Sequence, residues 1–236
     1  MTKKILANNL TGLIFLLFHT LTFLLFTKFL MTMTSKSLKA VLPKNVYVPA
    51  IAVSLSTIVA VVLYIYVYNK ITKKDNDINI YPKLNIDLKW LIVAGFLAIA
   101  MILIASGIQS LIPGQVGTNF TNNGNKPETS LGAGGPIQLG LSAVIIAPFV
   151  EELFFRGVLR DVMKKCYPVL YVVASGLIFG IIHTQITSIN WVSFLTTGIF
   201  GLILGTLAWK TNNTFYTMLT HVLYNGIIVM GILANL

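Results

Sequence analysis

Two adjacent glutamates, Glu151 and Glu152, stand inside the apolar stretch Val144 to Leu159 of a chain that has only seven acidic residues. A charged side chain near the centre of a bilayer costs about 3 kcal/mol on insertion scales, so carboxylates placed there imply a task and a partner. Arg156 follows Glu152 by four residues, on the same face of a helix, where a guanidinium reaches a carboxylate. Glu151 lies about 100° further round the helix and faces something else. A buried charge network that only orients helices is the plain alternative for these three residues.

Two of the three histidines also fall inside late apolar runs. His183 follows Gly176 and Gly180 at helical spacing, and the Gly-xxx-Gly pair lets another backbone approach the face that presents it. His221 is followed four residues later by Asn225, so the two side chains share a face and point at a common target. Taken singly, each histidine is a good interhelical hydrogen-bonding residue. The third, His19, has no polar companion at helical spacing and is read that way.

The elements that must position these residues are membrane spans. Of the 236 residues 56% are hydrophobic and 10% charged, and the mean hydropathy is +0.81, too little polar surface to clothe a soluble fold of this size. Apolar runs occur at about Leu10 to Met31, Tyr47 to Tyr68, Trp90 to Ile112, Pro136 to Leu159, Pro168 to Thr187, Trp191 to Trp209 and Phe215 to Leu236. A crossing takes roughly 20 apolar residues. The expected fold is therefore all-α, a polytopic membrane helix bundle with about seven transmembrane helices (six to eight), forming one integral-membrane domain over residues 1–236. The first run is long and lacks a small-residue cleavage site, which argues for a retained span over a signal peptide. The polar stretch Pro113 to Gly135 reads as a loop without a folded domain.

The net charge of +10 comes from 17 Lys and Arg against those seven acids. The lysines sit in short connections and not along one basic face, so the excess is one of topology, and no nucleic-acid partner is expected. With alternate connections on alternate sides, one side collects Lys3, Lys4, Lys70, Lys73, Lys74, Lys83, Lys89, Arg160, Lys164, Lys165 and Lys210, the other Lys36, Lys39, Lys44 and Lys126. The expectation is a cytoplasmic N-terminus and an outer C-terminus in a cell membrane. The single cysteine, Cys166, excludes an intrachain disulfide framework and a multi-cysteine zinc site. Lysine-rich, arginine-poor usage with abundant Asn and Ile suggests a bacterial source.

At 1.5 Å of rise per residue, Glu152 and His183 lie about 20 Å and 22 Å from the turn between Lys165 and Pro168, and are level. His221 and Asn225 start from the same end near Asn213 and lie roughly 12 Å and 18 Å in. One polar pocket among the fourth, fifth and last helices is permitted, reached from the cytoplasmic half.

The ordered set Glu151-Glu152-Leu-Phe-Phe-Arg156, Phe179-Gly-Ile-Ile-His183 and His221-Val-Leu-Tyr-Asn225 resembles the three signature motifs of the CPBP intramembrane proteases, also called the Abi or CAAX-protease family. The resemblance covers about Pro136 to Ile232, a catalytic core at residues 136–232, and leaves residues 1–135 as spans without a matched motif. It implies a membrane-embedded endopeptidase, similar to type II prenyl-protein proteases and to bacterial members tied to bacteriocin or signal-peptide processing. Its partners are the bilayer and a peptide or lipidated-peptide substrate.

Peptide hydrolysis needs an activated water, a stabilised oxyanion and a proton for the leaving amine. Glu151, with His183, suits the water. His221 and Asn225 suit the oxyanion, an effect worth ~3 kcal/mol per donor in other hydrolases. Glu152 and Arg156 fix the helix and the electrostatics. A zinc version takes Glu151, His183 and His221 as metal ligands with water in the fourth position. Family members are commonly named metalloproteases, yet the pair of histidines one turn apart found in His-Glu-x-x-His sites is missing, and both versions stay open. The rivals from other classes are a non-catalytic scaffold or bacteriocin self-immunity protein, and a small transporter using Glu151 and His183 as a proton relay.

Overall fold

In a computed structural model of the protein, the described residues are 55, 58, 59, 62, 63 and 66, then 86–115, 140–163, 168–184 and 189–234. They are all-helical, with no strand among them. Five elements hold the site: α1 (Leu88–Leu111), α2 (residues 140–162), α3 (Pro168–Ile182), α4 (Trp191–Thr211) and α5 (Thr214–Leu233). The run Leu10 to Met31 lies outside the described residues, Tyr47 to Tyr68 is described only at six helical positions, and the loop Pro113 to Gly135 only at its start.

Short polar side chains start three of these helices, as caps should. Asp87 Oδ1 accepts from the Lys89 N–H, Asn190 Oδ1 from Ser193 and Asn213 Oδ1 from Phe215. Asn212, in the left-handed region at φ 47°, ends α4 and leads within one residue into the cap of α5. The helices α1, α4 and α5 are long and apolar enough to cross a membrane, while α3, apolar throughout, has 15 residues and a length of ~22 Å. The sequence run assigned to α3 extends to Thr187, but the helix stops at Ile182.

α3 and α4 make the closest pairing, because glycines face glycines. A Cβ at Gly201 would stand 2.9 Å from Gly176 Cα and 2.9 Å from Phe179 Cβ, and one at Gly180 2.9 Å from the Phe194 carbonyl oxygen. This is the backbone approach expected of Gly176 and Gly180. α1 packs on α5 and α4. Its start is tied to the start of α5, where the Asp87 N–H donates to the Tyr216 hydroxyl at 2.7 Å and Trp90 lies 6.4 Å from the Tyr216 ring. Lys89 over Trp90 and Lys210 over Trp209 give this end of the bundle the aromatic and cationic side chains of a membrane interface.

α2 is not a uniform helix. It runs as a π segment (Gly140–Ile146), an α segment (Ala147–Glu152), a second π segment (Leu153–Val158) and a last α turn (Leu159–Val162). Residues 152–160 are buried without interruption, which puts the end of α2 at the centre of the bundle. Arg160, read from sequence as a connecting-loop cation, is inside it: Nη1 donates to the Ala208 carbonyl and Nη2 to Asn212 Oδ1 at 2.8 Å. A guanidinium at the C-terminal end of α4 meets the negative pole of that helix.

Candidate active site

The two glutamates of α2 diverge to serve different neighbours. Glu152 turns inward, fully buried, with Oε1 3.0 Å from His221 Nδ1 on α5 and Oε2 3.2 Å from Arg156 Nε. Arg156 is itself fully buried and reaches a third helix, Nη2 donating to the Gly201 carbonyl of α4 at 3.2 Å. Its guanidinium lies 4.9 Å from the Phe179 ring centroid and 5.4 Å from that of Phe155, so aromatic faces replace the water such a cation has lost. One carboxylate and one guanidinium thereby fasten α2 to α5 and α4.

Glu151 turns towards α3. Its Oε2 lies 3.7 Å from His183 Nε2, beyond direct hydrogen-bond length, and the two side chains keep 20% and 24% exposure. Those values separate an accessible pair from the sealed Glu152–Arg156 pair beside it. His183 stands one residue past the end of α3, where its Nδ1 lies 2.7 Å from the Phe179 carbonyl and its ring stacks on Phe179 at 4.3 Å. A carbonyl only accepts, so Nδ1 carries the hydrogen, and the neutral ring offers Nε2 as an acceptor.

Glu151 and His183 open on a pocket of about 190 Å³. Glu151, His183, His221 and Asn225 line it, with Ala143, Ala147, Phe179, Thr197, Phe200 and Tyr224 as walls. His221 enters edge-on to Phe200, with ring centroids 4.9 Å apart. Asn225 Nδ2 donates to the Ala143 carbonyl of α2 at 2.6 Å. Thus four of the six residues singled out from sequence line the cavity, while Glu152 and Arg156 stay buried behind it, Glu152 holding His221.

The arrangement differs from expectation in one pairing, since Glu152 holds His221 as well as Arg156. Sequence reading missed Thr197, a cavity wall whose hydroxyl is spent on the Ser193 carbonyl at 2.7 Å. The available signal was the repeat Ser193, Thr197, Gly201, Gly205, a stripe of small residues every fourth position. It also missed Tyr171, whose hydroxyl donates to the Phe155 carbonyl in the second π segment at 3.3 Å.

As for a metal, among the described residues no group of three or more His, Cys, Asp or Glu side chains is placed to hold an ion. Each histidine is engaged through Nδ1, which leaves Nε2 as the nitrogen it presents to the pocket. Glu151, His183 and His221 are not gathered as a three-ligand set in this arrangement.

No curated protein and no solved structure matches the chain. Residues 133–227 match the family described as type II CAAX prenyl endopeptidase, Rce1-like, and the match carries all three motifs and every residue of this site. The similarity that Glu151-Glu152-xxx-Arg156, Phe179-xxx-His183 and His221-xxx-Asn225 announced is therefore to the CPBP family of CAAX-type intramembrane proteases, in a chain whose apolar helices are those of a multi-pass membrane protein.

Proposed function

We propose that the chain is an intramembrane endopeptidase that hydrolyses a peptide bond of a membrane-associated peptide or protein without a metal. The observation that carries this reading is the Glu151–His183 pair: two acceptors 3.7 Å apart on a pocket wall suit one water donating to both. Glu151 takes a proton from that water as its oxygen attacks the peptide carbonyl carbon. The resulting oxyanion receives hydrogen bonds from His221 and Asn225 across the pocket. His221 meets it through Nε2, because Nδ1 belongs to Glu152. In the imidazolium form both ring nitrogens donate, and the Glu152 carboxylate balances the charge. When the C–N bond breaks, the proton held by Glu151 passes to the leaving amine. Arg156 keeps Glu152 in place and touches no substrate.

The similarity to a prenyl endopeptidase family supports this reaction class. The catalytic core at residues 136–232, the seven-span bundle and the cytoplasmic N-terminus belong to the same proposal. Comparing, by mass spectrometry, the membrane peptides of cells carrying the wild type with those carrying Glu151→Ala tests it. The substrate accumulates in the variant and its fragments in the wild type; identical peptide sets contradict the reading and favour a scaffold or self-immunity role.

A further inference from the structure

A π turn needs the N–H five residues on, an α turn the N–H four residues on. In α2 the π register holds through Ile146 and the α register begins at Ala147. Five residues beyond Ala143 stands Pro148, buried and without an N–H. A π segment that ends at Ile146 closes, by its i to i+5 register, with the Ala147 N–H directed to residue 142, so the α-register donor for Ala143 points elsewhere. The Ala143 carbonyl is thus left as an acceptor inside the bundle, and it faces the pocket region where Asn225 enters. Asn225 Nδ2 donates to it at 2.6 Å, with the residue 7% exposed.

That contact fixes more than a distance. A side-chain amide has a donor and an acceptor of nearly the same shape and can turn over to present either one. A carbonyl only accepts, so with Ala143 on one side the nitrogen must face it. The oxygen is then confined to the other branch of the amide, and the second Nδ2 hydrogen is committed to a direction the backbone dictates. An Asn225 free to turn could present its oxygen to a developing oxyanion, which repels where it should stabilise.

We infer that Pro148 is a positioning residue for this pocket: by withholding its N–H it keeps the Ala143 carbonyl open, and that carbonyl locks the amide of Asn225 so that one Nδ2 hydrogen is held on α2 and the other is left for the reacting peptide carbonyl. The inference rests on the protease reading of the site, although the lock itself is a property of the resting protein. Pro148 acts through Asn225 and touches no substrate.

Two measurements separate the lock from the reaction. In protein labelled with ¹⁵N at asparagine and held in micelles, the Asn225 side-chain amide is the proton pair missing from Asn225→Ala. One of its two protons exchanges with water far more slowly than the other, and the difference disappears in Pro148→Ala, which supplies the missing N–H and suits a helix. Equal exchange in the wild type, or a protected proton that survives in Pro148→Ala, overturns the inference. In peptide cleavage, Pro148→Ala lowers kcat by about 100-fold with KM unchanged, the penalty of a misplaced catalytic group. On an Asn225→Ala background it lowers kcat no further. A full second loss there shows that Pro148 acts by another route and overturns the proposal. Pro148→Ser, which restores the same N–H with a different side chain, must match Pro148→Ala; a difference between them assigns the effect to shape and overturns it too. Wild-type protein that cleaves nothing refutes the protease reading, while the exchange measurement still decides the lock.

Discussion

Replacing Arg156 by methionine keeps most of the side-chain volume and deletes the cation that faces Glu152. Both residues are fully buried, the Nε–Oε2 distance is 3.2 Å, and the second guanidinium contact, to the Gly201 carbonyl at 3.2 Å, is lost with it. The carboxylate left behind keeps His221 at 3.0 Å as its neighbour. A wholly uncompensated buried charge costs about 3–5 kcal/mol, and the His221 ring at 3.0 Å brings the loss down to about 1–3 kcal/mol. Arg156→Met is therefore expected to lose that much stability in equilibrium unfolding from detergent micelles. Glu152→Gln retains an oxygen for His221 and removes the stranded charge, so the double variant Glu152→Gln/Arg156→Met should be more stable than Arg156→Met alone. The coupling between the two sites is then about 1–3 kcal/mol, the upper part of the range for groups in direct contact. Losses that add without coupling refute the view that Arg156 is there to neutralise Glu152, and leave its aromatic packing as the reason for its burial.

Other outcomes follow from the same contacts. Gly201→Ala places a methyl 2.9 Å from the α3 backbone and should cost about 1–3 kcal/mol in thermal unfolding, whereas Gly205→Ala, with its nearest neighbour at 3.6 Å, should be tolerated. Tyr171→Phe leaves the Phe155 carbonyl of the second π segment without its hydroxyl partner and should lower stability by about 1–3 kcal/mol, with KM unchanged. Cleavage should be indifferent to strong chelators; loss of activity on chelation that zinc restores would replace the glutamate mechanism with the metal one.

Much of the site was legible because membrane burial makes polar residues conspicuous. Glu152 and Arg156 are one helical turn apart, so their ion pair follows from sequence spacing alone. Gly176 and Gly180 announced a close helix, and α4 supplies it. The depth estimate that set Glu152 level with His183 used only helix rise, and α2 and α3 do bring Glu151, the neighbour of Glu152, to His183. The bond from His221 to Glu152 was not legible, because the rotation of α5 against α2 decides which of two adjacent carboxylates it meets, and no intrahelical spacing encodes that. Nor was the contact of Asn225 with Ala143, since a π segment has no sequence signature and its exposed carbonyl appears only in three dimensions. Arg160 looked like a loop cation because the apolar run fades at Leu159, although helix and burial continue past it.

The central claim is that the Glu151 carboxylate takes the proton of the attacking water. Glu151→Gln keeps the shape and one acceptor oxygen of the side chain and removes the base. In proteoliposomes supplied with a peptide that the wild type cleaves, this variant should lose about 10²–10⁴-fold in kcat while inserting and unfolding like the wild type. Cleavage by Glu151→Gln at the wild-type rate contradicts the account.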